Sequence, residues 1–150
     1  MTIPERETWP TLIQMTMTKE PRLTAFGIGV YFGTPREQRK AKFAKDRADM
    51  LHEKCIEQFG RACMWLHDKP KTKQITPRAG TSYGLKHCVE RWHQKHFEGE
   101  AYVSNGMFIA AAIALGFQIR NSGGEERSSP NVFLNITSAR RHLDPNYPHW

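Results

Sequence analysis

The stretch AYVSNGMFIAAAIALGF, residues 101–117, constrains what this chain folds into more than any other. It is the most apolar part of a polar, basic sequence. A membrane-spanning helix needs roughly 20 apolar residues, and the continuous run over 107–115 is about half that. The run is therefore read as buried in protein rather than in lipid. Ser104 and Asn105 stand where an N-cap belongs, and Gly116 stands where a left-handed C-terminal cap belongs. Ala110, Ala111, Ala112 and Ala114 favour helix and let neighbours approach closely. The spacing predicts a helix over 105–115, apolar all round and so enclosed by other elements. A helix that reads bases in a major groove needs Arg, Lys, Asn or Gln on its outward face. Residues 107–115 offer none. In a helix-turn-helix, only the first turn, Ser104 to Gly106, could touch a base or phosphate.

Other segments must supply the enclosure. LTAFGIGVYFG, residues 23–33, alternates bulky residues with glycine and reads as a strand over 23–32. Its glycines fit a closely packed strand face better than a dinucleotide loop, because the third glycine of a GxGxxG pattern is one place late. TPRE at 34–37 has the form of a capping box opening a long helix over 35–59, with Ala44, Ala48, Leu51, Cys55 and Phe59 inward and Gly60 as its stop. RACMWLH, 61–67, reads as a short strand. Residues 68–80, with two prolines and four cations, read as a loop. A second helix covers 82–96, with Leu85, Cys88, Val89 and Trp92 on one face. FQIR and NVFLNI, near 117–120 and 131–136, would pair as a hairpin around a polar loop. Segment 1–22 is Pro- and Thr-rich and reads as irregular, as does the tail 138–150. The expectation is one α+β domain: three helices packed with a small antiparallel sheet formed by the 23–32 strand and the hairpin. A winged-helix arrangement, with the hairpin as wing, is the alternative.

Charge narrows the partner. Lys and Arg total 22 against 15 Asp and Glu, a net charge of +7, which draws a protein toward polyanions. The candidate phosphate contacts are Arg36, Arg39, Lys40 and Lys42 on the first long helix, and Lys69, Lys71, Lys73 and Arg78 on the loop. Lys86, Arg91 and Lys95 follow on the next helix, and Arg127 on the hairpin loop. Trp65, Tyr83, Trp92, Phe97 and Tyr102 lie among basic residues, where an exposed ring could stack on a base.

Catalytic signatures are missing. There is no GxSxG, HExxH or P-loop, and the acids are scattered. His93 and His96 have metal-ligand spacing on a helix, but His87 lies about 240° around from His93, so no ligand set assembles locally. No catalytic residue, metal or cofactor is assigned, and the chain is read as non-enzymatic. Three cysteines, Cys55, Cys63 and Cys88, form no tight pair and read as reduced thiols in a cytoplasmic protein. The N-terminus lacks a secretory pattern.

The segments SYGLKHCVE, YVSNGMFIAAAIALGF and SPNVFLNI, in that order, resemble small uncharacterised proteins of phages, plasmids and other mobile elements. The resemblance spans about residues 81–137. It implies an accessory protein that binds DNA or RNA. The alternative it implies is an inhibitor seated on a host protein or ribonucleoprotein defence complex, anti-CRISPR-like, which would present the basic surface to an acidic or nucleic-acid-binding face.

Overall fold

The computed structural model describes residues 2–148. It contains six α-helices, α1 (Trp9–Lys19), α2 (Arg39–Ala48), α3 (Glu53–Leu66), α4 (Ser82–His96), α5 (Asn105–Ala114) and α6 (Arg140–Leu143). Two antiparallel hairpins complete it: β1 (Leu23–Thr24) with β2 (Gly27–Ile28), and β3 (Ile119–Asn121) with β4 (Val132–Leu134). This is a small α+β fold.

α5 is the hub. Residues Asn105 through Ala112 are all buried, and the helix packs against α1, α3, α4 and the first hairpin, most extensively against α3. Its ends follow the local rules. The Ser104 hydroxyl accepts from the Met107 N–H at 3.3 Å. Gly116 takes φ +87°, which places its N–H on the Ile113 carbonyl and the Phe117 N–H on the Ala112 carbonyl, the double bond of a Schellman cap. Among the described residues, no helix is long and apolar enough to cross a membrane.

Several expectations are corrected. The segment 1–22 is not irregular: α1 buries Trp9, Ile13 and Thr16 at helical steps, and Pro10 sits in the first turn, where its missing N–H costs nothing. The long helix is two helices. After α2 the chain passes through a 3-10 turn, Asp49–Leu51, and an extended His52 before α3 begins. The break reorients the expected stripe, so Ala44 and Ala48 are exposed while Asp46 and Met50 are buried. No capping box forms at Thr34, since that helix start has no side-chain cap.

The 61–67 strand is instead the second half of α3, and Gly60 does not stop it. Gly60 lies inside the helix because a Cβ there would stand 2.2 Å from the Trp9 ring. A glycine in a helix costs about 1 kcal/mol in propensity, offset here by the close seat it leaves for the indole.

The 23–32 strand folds back on itself instead of joining the second hairpin. Leu23 pairs with Ile28 and Thr24 with Gly27, leaving Ala25 and Phe26 as the turn. The two hairpins are thus separate sheets, joined by a bond from the Ile28 N–H to the Pro130 carbonyl at 2.9 Å. The second hairpin is as expected, within two residues at each end, with Ile119 opposite Leu134. The loop 68–80 is an ordered strap. Thr72 and Thr76 donate their N–H groups to Asn135 and Leu134, and Thr137 donates to Pro70. The tail also carries structure, since α6 buries Leu143.

Candidate functional site

The first hairpin, α4 and the start of α5 meet at a cleft of about 560 Å³, within the size range of small-ligand sites. Three aromatic side chains stand around it with large exposed areas: Phe26 at 59%, Tyr83 at 53% and Tyr102 at 48%. Single exposed rings need no explanation, but three converging on one hollow do.

Each ring is held by its backbone. Phe26 occupies the tip of the β1–β2 turn. The Ala25 N–H donates to the Asp46 carbonyl at 3.1 Å, and the Ala25 carbonyl accepts from Gly106 at 3.2 Å. The Thr24 hydroxyl accepts from the Phe26 N–H and donates to the Gly27 carbonyl. The turn lies so close to α5 that a Cβ on Gly106 would stand 1.8 Å from the Thr24 oxygen. Tyr102 belongs to the segment before α5, which α3 and α4 clamp together. The Arg61 guanidinium donates to the Tyr102 carbonyl, Gln58 accepts from the Ser104 N–H, and Glu90 accepts from the Val103 N–H. Tyr83 projects from the first turn of α4 and meets the His87 ring edge-on at 4.8 Å.

Lys86 forms the floor. It falls on the inward stripe of α4, Ser82–Leu85–Lys86–Val89–His93, and is only 4% exposed. Its ammonium donates to Glu90 at 3.0 Å and stands 5.5 Å and 4.6 Å from the Tyr83 and Tyr102 ring centroids. The other Glu90 oxygen is 2.7 Å from His87 Nδ1. Burial by itself would raise the Glu90 pKa. The bonds from Val103, Lys86 and His87 outweigh it and hold the carboxyl below its ordinary range. Lys86 and Glu90 therefore neutralise each other, and the two flanking rings share the cation.

The far wall is amide. Asn105 donates from Nδ2 to the Pro130 carbonyl at 3.1 Å and to Asn131 Oδ1 at 2.9 Å. Its own Oδ1 is buried without a partner. Reversing the amide would face that oxygen against two acceptors, so the orientation stands. The Asn131 amide nitrogen is engaged by no described residue.

A second hollow, of about 320 Å³, lies against the first and shares Phe26, Tyr102 and Ser104 with it. His52, Lys54, Cys55 and Gln58 line its other side. Burial, with Asp49 nearby, raises the Cys55 thiol above its ordinary pKa, which does not suit a nucleophile. A third, smaller hollow shares Phe26 and Pro130 and holds Lys42 beside Tyr31 and Asp46.

The expected phosphate contacts are dispersed. Arg36 is exposed in the 3-10 turn before α2 and Lys40 in the first turn of α2, Arg39 donates to the Thr34 carbonyl, and Lys42 pairs with Asp46 at 3.3 Å. On the strap, Lys69 pairs with Asp68 and lies over the Trp65 ring, while Lys71 lies over Phe117. Lys73 and Arg78 are exposed. Arg91 reaches the Cys88 sulfur, Lys95 the Pro145 carbonyl, and Arg127 pairs with Glu20 at 2.6 Å. Of the twelve, Lys86 alone lines the aromatic cleft, as an inward cation rather than a surface one.

Of the aromatic residues singled out for stacking, Tyr83 and Tyr102 line the cleft, Trp65 is core, and Phe97 packs on Trp92 and His93. Phe26 and Asn131 were missed, and Asn105 was singled out only as a helix cap and as part of a first turn that could reach a base in a helix-turn-helix. The one available signal for Phe26 was an apolar residue beside a glycine at a turn. Among the described residues, no three His, Cys, Asp or Glu side chains converge as a metal site, and the three cysteines are unpaired.

Comparison with known proteins finds no match: no family model, no curated protein and no solved structure is similar to this chain at the level that would indicate kinship.

Proposed function

We propose that this protein is a non-enzymatic nucleic-acid-binding accessory protein and that the aromatic cleft is where it engages bases. The observation that carries the reading is the convergence of three exposed, backbone-held rings on a hollow walled by amides, in a chain of net charge +7. Aromatic faces stack on any base, amides pair with base edges, and a cationic surface draws in the phosphates. The division of labour differs from contact through phosphate alone. Rings and amides serve the cleft, where Lys86 is already neutralised by Glu90. Exposed cations such as Arg36, Lys40, Lys73 and Arg78 supply the long-range attraction. The three segments that carry the mobile-element resemblance contain eight of the nine residues lining the cleft, all but Phe26.

The test is fluorescence polarisation with labelled DNA and RNA at two salt concentrations, in the presence of excess nonspecific competitor. Binding should exceed that of an unrelated protein of similar charge, and Tyr102→Ala should weaken it. Binding equal to the charge-matched control, unaffected by Tyr102→Ala, would overturn the reading.

A further inference from the structure

Phe26 borders both the Lys86 cleft and the adjoining hollow lined by His52, Lys54 and Cys55, and the two share the wall Phe26–Tyr102–Ser104. We infer that Phe26 is a divider that seats two neighbouring bases of a single strand, one on each side, so that the ligand is single-stranded rather than duplex nucleic acid. This rests on the nucleic-acid reading of the cleft.

Geometry supports a divider in three ways. First, the ring is at the tip of a two-residue turn and is more than half exposed, so it has lateral faces to offer. Second, that turn cannot drift. It is tied to α2 through Asp46, to α5 through Gly106 and to the second hairpin through the Ile28–Pro130 bond. A wedge must be rigid, because a ring free to fold away would lose on ordering what it gains by stacking. Third, both hollows are lined by aromatic and polar side chains. Tyr83 and Asn131 stand on one side and Gln58 and His52 on the other, with Tyr102 common to both.

A duplex does not fit this arrangement. Its bases are stacked on each other and show only their edges in the grooves, so the ring faces would meet nothing they can stack on. A single strand presents π faces freely, and its phosphates remain outside for the exposed cations, Lys54 among them. The chemistry is common to single-stranded DNA and RNA. The 2′-hydroxyl distinguishes them only if a polar group reaches it, so both are probes in the test.

The experiment measures binding of the full chain to a short labelled oligothymidylate, to the matching oligouridylate and to a mixed-sequence duplex, for the natural chain and for Phe26→Leu and Phe26→Tyr. Leucine keeps the apolar bulk and removes the π face; tyrosine keeps the face. Phe26 is exposed at the turn, and the thermal melt of each variant verifies that the fold is intact. Single strands should bind more tightly than duplex. Phe26→Leu should weaken the tighter-bound single strand roughly 5- to 100-fold and leave duplex binding unchanged, and Phe26→Tyr should restore the natural affinity. Equal binding of duplex and single strand, or a Phe26→Leu variant that binds single strands like the natural chain, overturns the divider while leaving nucleic-acid binding in place. Failure of all three probes to bind at low salt overturns the proposed function, and the divider with it.

Discussion

Two of the regions that combine cations with aromatic rings use them oppositely. On the strap between α3 and α4, Lys69 and Lys71 lie over the rings of Trp65 and Phe117, which are themselves buried. There the ring belongs to the core and the lysine stem covers it; Lys71 is exposed, and Lys69, itself only 12% exposed, pairs with a largely exposed Asp68. In the cleft the order is inverted. Lys86 is buried and the rings of Tyr83 and Tyr102 stand outside it, about half exposed. A buried ring covered by a lysine stem closes the fold. A buried cation beneath exposed rings leaves π faces open to a ligand. Counting basic residues along the chain cannot tell the two apart, because both are lysines beside aromatics.

The contrast can be broken most forcefully at the cations. Lys86→Met should destabilise the protein by about 2–3 kcal/mol, because the largely covered Glu90 carboxylate keeps the Val103 and His87 bonds but loses its charge partner. Lys69→Met also removes a covered ammonium, but its partner Asp68 is largely exposed and stays solvated, so it should cost less than about 1 kcal/mol. Paired urea titrations measure both, and equal effects would show that burial of the carboxylate partner does not separate the two lysines.

A smaller loss is expected where the cleft's geometry depends on contact between backbones. Gly106→Ala forces a methyl against the Thr24 carbonyl and should cost about 1–3 kcal/mol. It should also displace the turn carrying Phe26, so affinity for single strands should fall with stability. Gly84→Ala, on the solvent side of α4 with open space around it, should be neutral or slightly stabilising.

The smallest effect concerns pH. His93 is buried beside Trp92 and Phe97, and its Nε2 has no partner. Desolvation, followed by the nearby Arg61 charge, lowers its pKa below the ordinary value. The unfolded chain therefore takes up its proton first as pH falls. Stability should decline from about the unfolded histidine value near pH 6.5 down to the lowered folded value, then level off for this group. Because Arg61 also holds the Tyr102 carbonyl, the same range should loosen one wall of the cleft. His93→Gln should flatten that limb of a melting-temperature profile, and an unchanged limb would assign the pH dependence to other groups.

Much of the fold was legible wherever local rules act alone. The caps of α5, the bounds of α4 and the second hairpin follow from Ser104, Gly116 and the alternation of apolar residues. Where a distant partner decides, the local signals misled. Gly60 read as a helix stop because a lone glycine carries no record of the Trp9 ring that requires it. The 23–32 segment read as one strand because alternation is blind to a turn clamped by Asp46 and Gly106. For the site, Tyr83 and Tyr102 were visible as candidates, while Phe26, Asn105 and Asn131 come from three separate segments and share no spacing.

By itself, the sequence determined that residues 105–115 form a helix that must be enclosed, that the chain is α+β, and that its surface is strongly cationic. These are sums or short-range periodicities, and each residue contributes without regard to its distant neighbours. Only the tertiary structure decided which lysine turns inward, which rings stay exposed and which glycines admit a neighbouring backbone. Those outcomes depend on desolvation and contact between residues far apart in the chain, such as Phe26 and Tyr102, and the physics that settles them begins only when the segments meet.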